Sequence, residues 1–118
     1  MSQSVLLAVA RSSIEEVLKA ENSINRADLV SKYPILDETI QTEIAIFIDN
    51  KLRGVASDRD SERSLLESII HNAKCAAFLD EDYEPLTTTE YLHSTIKLTI
   101  YSSDGELSHQ SEPIIHNV

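Results

Sequence analysis

Residues Ile44 to Ile48 read Ile-Ala-Ile-Phe-Ile, apolar at every position. A run this short with β-branched residues at alternate places suits an extended strand better than a helix. Both of its faces are apolar, so the strand is expected to be covered on both sides. Asp49-Asn50 follows as a compact turn, and Leu52 to about Ala56 returns from it as the second strand of a hairpin. The chain of 118 residues suits one domain, which buries roughly two thirds of the surface its unfolded form exposes. With 42% hydrophobic residues, the core needs no metal or disulfide.

Helices flank this hairpin in the sequence. From about Ser4 to Ala20, Leu6, Val9, Ala10, Ile14, Val17 and Leu18 recur at helical spacing, with Arg11, Glu15, Glu16 and Lys19 on the opposite side. A short helix from Arg26 to Lys32 is capped by Asn25 and ended by Tyr33-Pro34. The stretch Pro34 to Thr42 reads as a connecting loop. Asp60 or Ser61 caps a long helix to about Leu79 with Leu65, Leu66, Ile69, Ile70, Ala73, Ala76 and Ala77 inside. Thr87 and Glu90 form a capping box for a helix of one or two turns. Thr95 to Tyr101 alternates cleanly, Ile96, Leu98 and Ile100 facing one way. Ser103-Asp104-Gly105 turns the chain into an edge strand, Glu106 to Gln110, and the tail from Ser111 reads as loop. The class is therefore α+β: a mostly antiparallel sheet flanked by a long N-terminal helix and a second long central helix.

Twenty acidic residues against ten basic ones give a net charge of −10. That balance repels phosphate backbones and anionic headgroups, so nucleic-acid and membrane partners are not expected. No apolar run reaches the length of a membrane span. The apolar start, Val5 to Ala10, runs straight into Arg11, Glu15 and Glu16 and reads as an amphipathic helix rather than a secretion signal. The single cysteine, Cys75, fits a reducing compartment, and a cytoplasmic location is the expectation.

No chemistry-bearing motif is complete. His71 and Cys75 lie four apart on the long helix, the spacing of one pair of metal ligands, but no second pair accompanies them. No metal or cofactor is expected. A thiol in mid-helix lacks the activation that helix N-termini give, so no catalytic residue is assigned. The acidic cluster Asp80, Glu81, Asp82 and Glu84 lacks the glycine turn and terminal glutamate of a calcium loop. Acid at a helix C-terminus opposes the macrodipole, so a cation such as Lys51 or Arg53 is expected nearby. In Lys51-Leu52-Arg53-Gly54 the glycine permits either close backbone approach or positive φ, and the arginine is either a surface charge or an anion anchor.

Taken in order, Leu52-Arg53-Gly54, the helix ending Asn72-Ala73-x-x-Ala76-Ala77-Phe78-x-Asp80, Pro85-Leu86-Thr87-x-x-Glu90 and the alternating strand after it resemble the AMMECR-one family. The opening Leu6-Leu7-x-x-Ala10-Arg11-x-x-Ile14-Glu15 is similar to that family's first helix. The resemblance covers Leu6 to about Ile114 and implies an α+β fold of this type over one domain, 1–118, without the family's long C-terminal segment. The family's hallmark Leu-Arg-Gly-Cys-Ile-Gly stands here as Leu52-Arg53-Gly54-Val55-Ala56-Ser57, so its thiol and second glycine are missing. Its Asp-Pro-Arg-Phe stands as Asp80-Glu81-Asp82-Tyr83. The family has no established reaction.

Two functions follow as expectations. The preferred one is a non-catalytic interaction or accessory module whose protein partner presents a basic face. The other is an enzyme or small-molecule binder whose ligand sits beside Arg53 and Gly54, with Ser57 and Tyr101 as hydrogen-bonding neighbours. A shortened scaffold also exposes apolar surface and a strand edge, which a homodimer covers, either through the sheet edge or through the helix face of His71, Cys75 and Phe78.

Overall fold

The computed structural model describes residues 3–58, 62–102 and 105–114. Helix α1 spans Gln3–Lys19 and α2 spans Arg26–Lys32, followed by a 3-10 turn at Pro34–Asp37. Strands β1 (Gln41–Ile48) and β2 (Lys51–Ser57) form the hairpin, α3 runs Leu65–Phe78 and α4 runs Thr88–Leu92. Strands β3 (Thr95–Ser102) and β4 (Gly105–Ser111) complete a four-stranded sheet in the order β2-β1-β3-β4, every pair antiparallel.

Local chemistry accounts for the element boundaries. Asp49 and Asn50 both sit at positive φ (51° and 65°), the left-handed pair that a two-residue hairpin demands. Asn25 caps α2 by accepting from the Asp28 N–H at 3.0 Å. Thr87 and Glu90 make the full capping box, with both reciprocal bonds at 3.1 Å. The expected caps of the long helix, Asp60 and Ser61, lie outside the described residues; Ser64 caps α3 by accepting from the Glu67 N–H. The expected loop after Pro34 holds the 3-10 turn and the start of β1.

The core lies between the sheet and α1 with α3. Thr42, Ile44 and Ile46 of β1 stand beside Ile96, Leu98 and Ile100 of β3, all buried under α3 and its neighbour α1. Ile14, Ile69, Ala73 and Ala76 fill the space above them. Two expectations for α1 are corrected. Val17 is exposed, whereas Arg11 and Glu16, placed outside by the periodicity, are buried. Hydrogen bonding outweighs polarity there: Glu16 accepts from the Ser23 and Ile24 N–H groups and from Lys74 Nζ, tying α1 to its own exit loop and to α3.

A further correction concerns the cover of the sheet. The helices lie on the face of Ile44 and Ile46, and the opposite face is open. Leu52 is 42% exposed and Val55 36%, Lys97 is exposed, and Phe47 is half-buried. Ala45 is shielded by its central position, between Val55 and Lys97, rather than by a helix.

Candidate functional site

The sequence pointed to Leu52–Ser57, and β2 places these residues in three directions. The register between β1 and β2 shifts at Ile46/Phe47, leaving Arg53 as the extra residue between the Phe47–Leu52 and Ile46–Gly54 pairs. Gly54 and Ala56 then face α3, while Leu52, Val55 and Ser57 point to the open face.

Arg53 leaves the strand at the bulge and turns toward α4. Its Nε donates to Glu90 Oε2 at 3.0 Å and Nη2 donates to Glu90 Oε1 at 3.2 Å, a bidentate pair. Nη2 also donates to the Glu84 carbonyl at 2.8 Å, and the guanidinium lies 5.5 Å from the centroid of the Tyr83 ring. Its side chain is 15% exposed. Arg53 thus holds the Asp80–Glu84 turn and the start of α4 against β2. Asp80 faces β2 by a different route: Oδ2 accepts from the Val55 N–H at 3.0 Å and Oδ1 from the Asp82 N–H at 2.9 Å. These two backbone donors, with Arg53 adding to them, hold the Asp80 carboxyl below its ordinary pKa. The acid at the end of α3 is therefore offset chiefly by backbone N–H groups.

The residues grouped by sequence as one anion pocket stand apart. Ser57 is exposed four residues along β2 from Arg53, about 13 Å away at strand rise. Tyr101 lies on β3, with β1 between it and β2, and is half-exposed. On the outer side of α3, His71 is exposed and its Nε2 stands 3.5 Å from Cys75 Sγ, with Phe78 half-buried beyond them. Burial pushes the Cys75 thiol pKa up, and the Arg63 charge offsets part of that rise. Among the described residues no group of three or more His, Cys, Asp or Glu side chains is placed to share a metal ion, and no helix is long and apolar enough to cross a membrane.

Sequence reasoning missed two buried polar clusters. In the first, Thr42 Oγ1 and Ser68 Oγ lie 2.8 Å apart, Ser68 donates to Asp58 Oδ1 at 2.9 Å, and Asn72 Nδ2 donates to the Thr42 carbonyl at 3.1 Å. Asn72 Oδ1 is buried without a protein partner, and Asp58 reaches Arg63 at 3.7 Å. The signal was present: Ser68 and Asn72 sit four apart within the apolar stripe of α3, and Thr42 shares the inner face of β1 with Ile44. The second cluster surrounds Arg11, 8% exposed, which donates to the Ser94, Ser111 and Glu112 carbonyls and lies over the Tyr91 ring. Tyr91 in turn donates to Glu15 Oε2 at 2.6 Å.

Two concavities are lined by other residues. A cleft of about 630 Å³ separates α1 from α2, with Val5, Val9, Ile24 and Leu29 on its floor and Asp28 and Lys32 at its rim. A smaller one of about 140 Å³ lies where Tyr91 and Leu92 meet α1 and Ile114.

The carboxylates set an acid limit. Burial alone would raise the Glu16 pKa, but the Ile24 and Ser23 N–H groups and Lys74 outweigh it and hold the group below its ordinary 4.5. The Arg53 hydrogen bonds do the same for Glu90. A carboxyl depressed in the folded state contributes stability that is complete above its unfolded pKa and lost as pH falls through the folded value. The melting temperature should therefore fall steeply from about pH 5 to about pH 3. Glu16→Gln should lower it at pH 7 and flatten that acid limb, as thermal melts across the range would show.

The family model described as AMMECR1 matches residues 7–116. Among solved structures, the uncharacterized protein PH0010 from Pyrococcus horikoshii has the same fold, with a TM-score of 0.72 at 24% identity. The likeness covers 81% of this chain and 49% of that one, so the chain spans about half that protein's length. No curated protein matches.

Proposed function

The chain belongs to the AMMECR1 family, and from that premise we propose that it is a non-catalytic interaction module whose docking surface is the open face of the sheet. The observation that carries this reading is the fate of Arg53. Its guanidinium is engaged by Glu90, the Glu84 carbonyl and the Tyr83 ring, so it acts as a brace, and a role as brace supports this reading over that of an anion anchor. The residue that follows Gly54 points elsewhere: Val55 stands on the open face beside Ala45, with Leu52 and Phe47 next along it. A small apolar centre rimmed by Glu43 and Lys97 suits a protein partner better than a substrate, and the net charge of −10 favours one with a basic face.

The test is a photo-crosslinking side chain placed at Val55 of the full chain in native extract, with Ile35, an exposed residue of the 3-10 turn, as the control position. A discrete basic partner captured at position 55 and not at 35 is the expected result. Leu52→Glu with Val55→Glu should weaken that partner's binding about tenfold or more with the fold intact. Arg53→Met should lower the melting temperature and leave the binding in place. Equal capture at both positions would overturn the reading, as would phosphate or a small carboxylate raising the melting temperature of the wild type and not of Arg53→Met.

A further inference from the structure

We propose that the free edge of β4 pairs with the same strand of a second copy, antiparallel about a two-fold axis through Ser108, joining the two sheets into one. The two edges of this sheet are finished differently. On β2 the outward Val55 N–H is capped by Asp80 at 3.0 Å, and Arg53 reaches across to the Glu84 carbonyl, so the Asp80–Glu84 turn lies against the middle of that edge. On β4 the hairpin pairs Ser102 with Gly105, and the antiparallel alternation puts the N–H and C=O groups of Glu106, Ser108 and Gln110 on the outside. The same alternation, applied to the β1–β2 hairpin, puts the Val55 N–H outside, where Asp80 meets it.

Exposed edges are ordinarily guarded by lysine, proline or a bulge. Gly105–Ser111 contains no lysine or proline, pairs with β3 without a register shift, and carries one charge, Glu106. Leu107 stands 59% exposed on it. Among the described residues no side chain of this chain bonds the outward groups of Glu106, Ser108 or Gln110.

The strand is its own complement. With Ser108 opposite Ser108, all seven residues overlap. Glu106, Ser108 and Gln110 of each copy then both donate and accept across the axis. Glu106 faces Gln110, and Leu107 faces His109. A register centred on Glu106 would shorten the overlap and set two carboxylates against each other; one centred on Gln110 would shorten it as much. The remaining opposition is the net charge of each copy, which salt screens.

This inference is independent of the open-face reading, and its failure leaves that reading standing. Sedimentation of the full chain from about 1 to about 200 µM should show a mass rising toward twice that of the chain, further at high than at low ionic strength. Gln110→Lys, which sets a cation opposite Glu106 in both copies, should tighten the dimer about tenfold, and Gln110→Glu should loosen it by a similar factor. Ser108→Pro, which removes an outward N–H while sparing the ladder to β3, should leave monomers with an unchanged circular dichroism spectrum. A monomer at every concentration would overturn the proposal, and so would a dimer indifferent to both changes at Gln110.

Discussion

Gly54→Ala should cost about 3 kcal/mol or more and lower the melting temperature by about 10 °C or more, the largest loss expected from adding one methyl group to this chain. The reason is the seat of α3. A Cβ on Gly54 would run into the carbonyl oxygen of Ala76 and meet its carbonyl carbon at 3.1 Å. That obstacle is backbone, in the last turns of a helix whose Ala73, Ala76 and Ala77 are buried. No rotamer change relieves it, so α3 must lift from β2 and uncover the inner ends of both. The φ of Gly54 is not positive, so the requirement is close approach and not conformational freedom. This distinguishes the outcome from an ordinary overpacking. Shrinking the side chain with Ala76→Gly should give no rescue, because the clash is with the carbonyl. A melting temperature within about 2 °C of wild type would show that α3 can slide and that the helix–sheet seat is soft.

The sequence made one half of this legible. The alternation of Ile96, Leu98 and Ile100, the Asp49-Asn50 turn, the Thr87–Glu90 box and the alanine-rich end of the long helix each dictate their local structure, and all are found where expected. What misled was reasoning by polarity alone. Ile44-Ala-Ile-Phe-Ile seemed to demand cover on both faces, yet the neighbouring strands shelter Ala45 and leave the face open. Three places stood open to Arg53, solvent, a ligand or the acidic turn, and it does reach that turn at the Glu84 carbonyl; its carboxylate partner Glu90 escapes the sequence because it is distant along the chain and reads there only as part of a helix cap. Glu90 does both at once: Oε1 accepts from the Thr87 N–H and from Arg53. A carboxylate that caps a helix has a second oxygen to offer, and only the fold tells which cation takes it. Arg11 and Glu16 were assigned to water for the same reason, since their partners are carbonyls and N–H groups that no side-chain pattern displays.

Arg11→Met should be nearly as costly, about 2 to 4 kcal/mol, and its damage should be local to β4. Arg11 sits on α1, yet it donates to the Ser94 carbonyl at 2.9 Å, to Ser111 at 3.3 Å and to Glu112 at 2.8 Å, and its Nε donates to Ser111 Oγ at 3.0 Å. Among the described residues no carboxylate lies within ion-pair distance of it. Its charge is balanced by carbonyl dipoles and by the Tyr91 ring at 5.1 Å. Methionine keeps most of the volume and none of the donors, so the buried Ser94 carbonyl before β3 and the partly buried Ser111 and Glu112 carbonyls at the end of β4 lose their partner. Arg11→Lys should rescue little, because a single ammonium cannot span the fork that reaches Ser94, Ser111 and Glu112 together. Hydrogen exchange separates this from general destabilisation: amides of Leu107 to Ser111 should exchange faster by more than those of Ile69 to Ala77. Uniform acceleration across both segments would mean that Arg11 supports the core as a whole. Selective acceleration would make it the anchor of the edge strand, and the same variant should then weaken pairing through β4 even though Arg11 lies on α1, outside that edge.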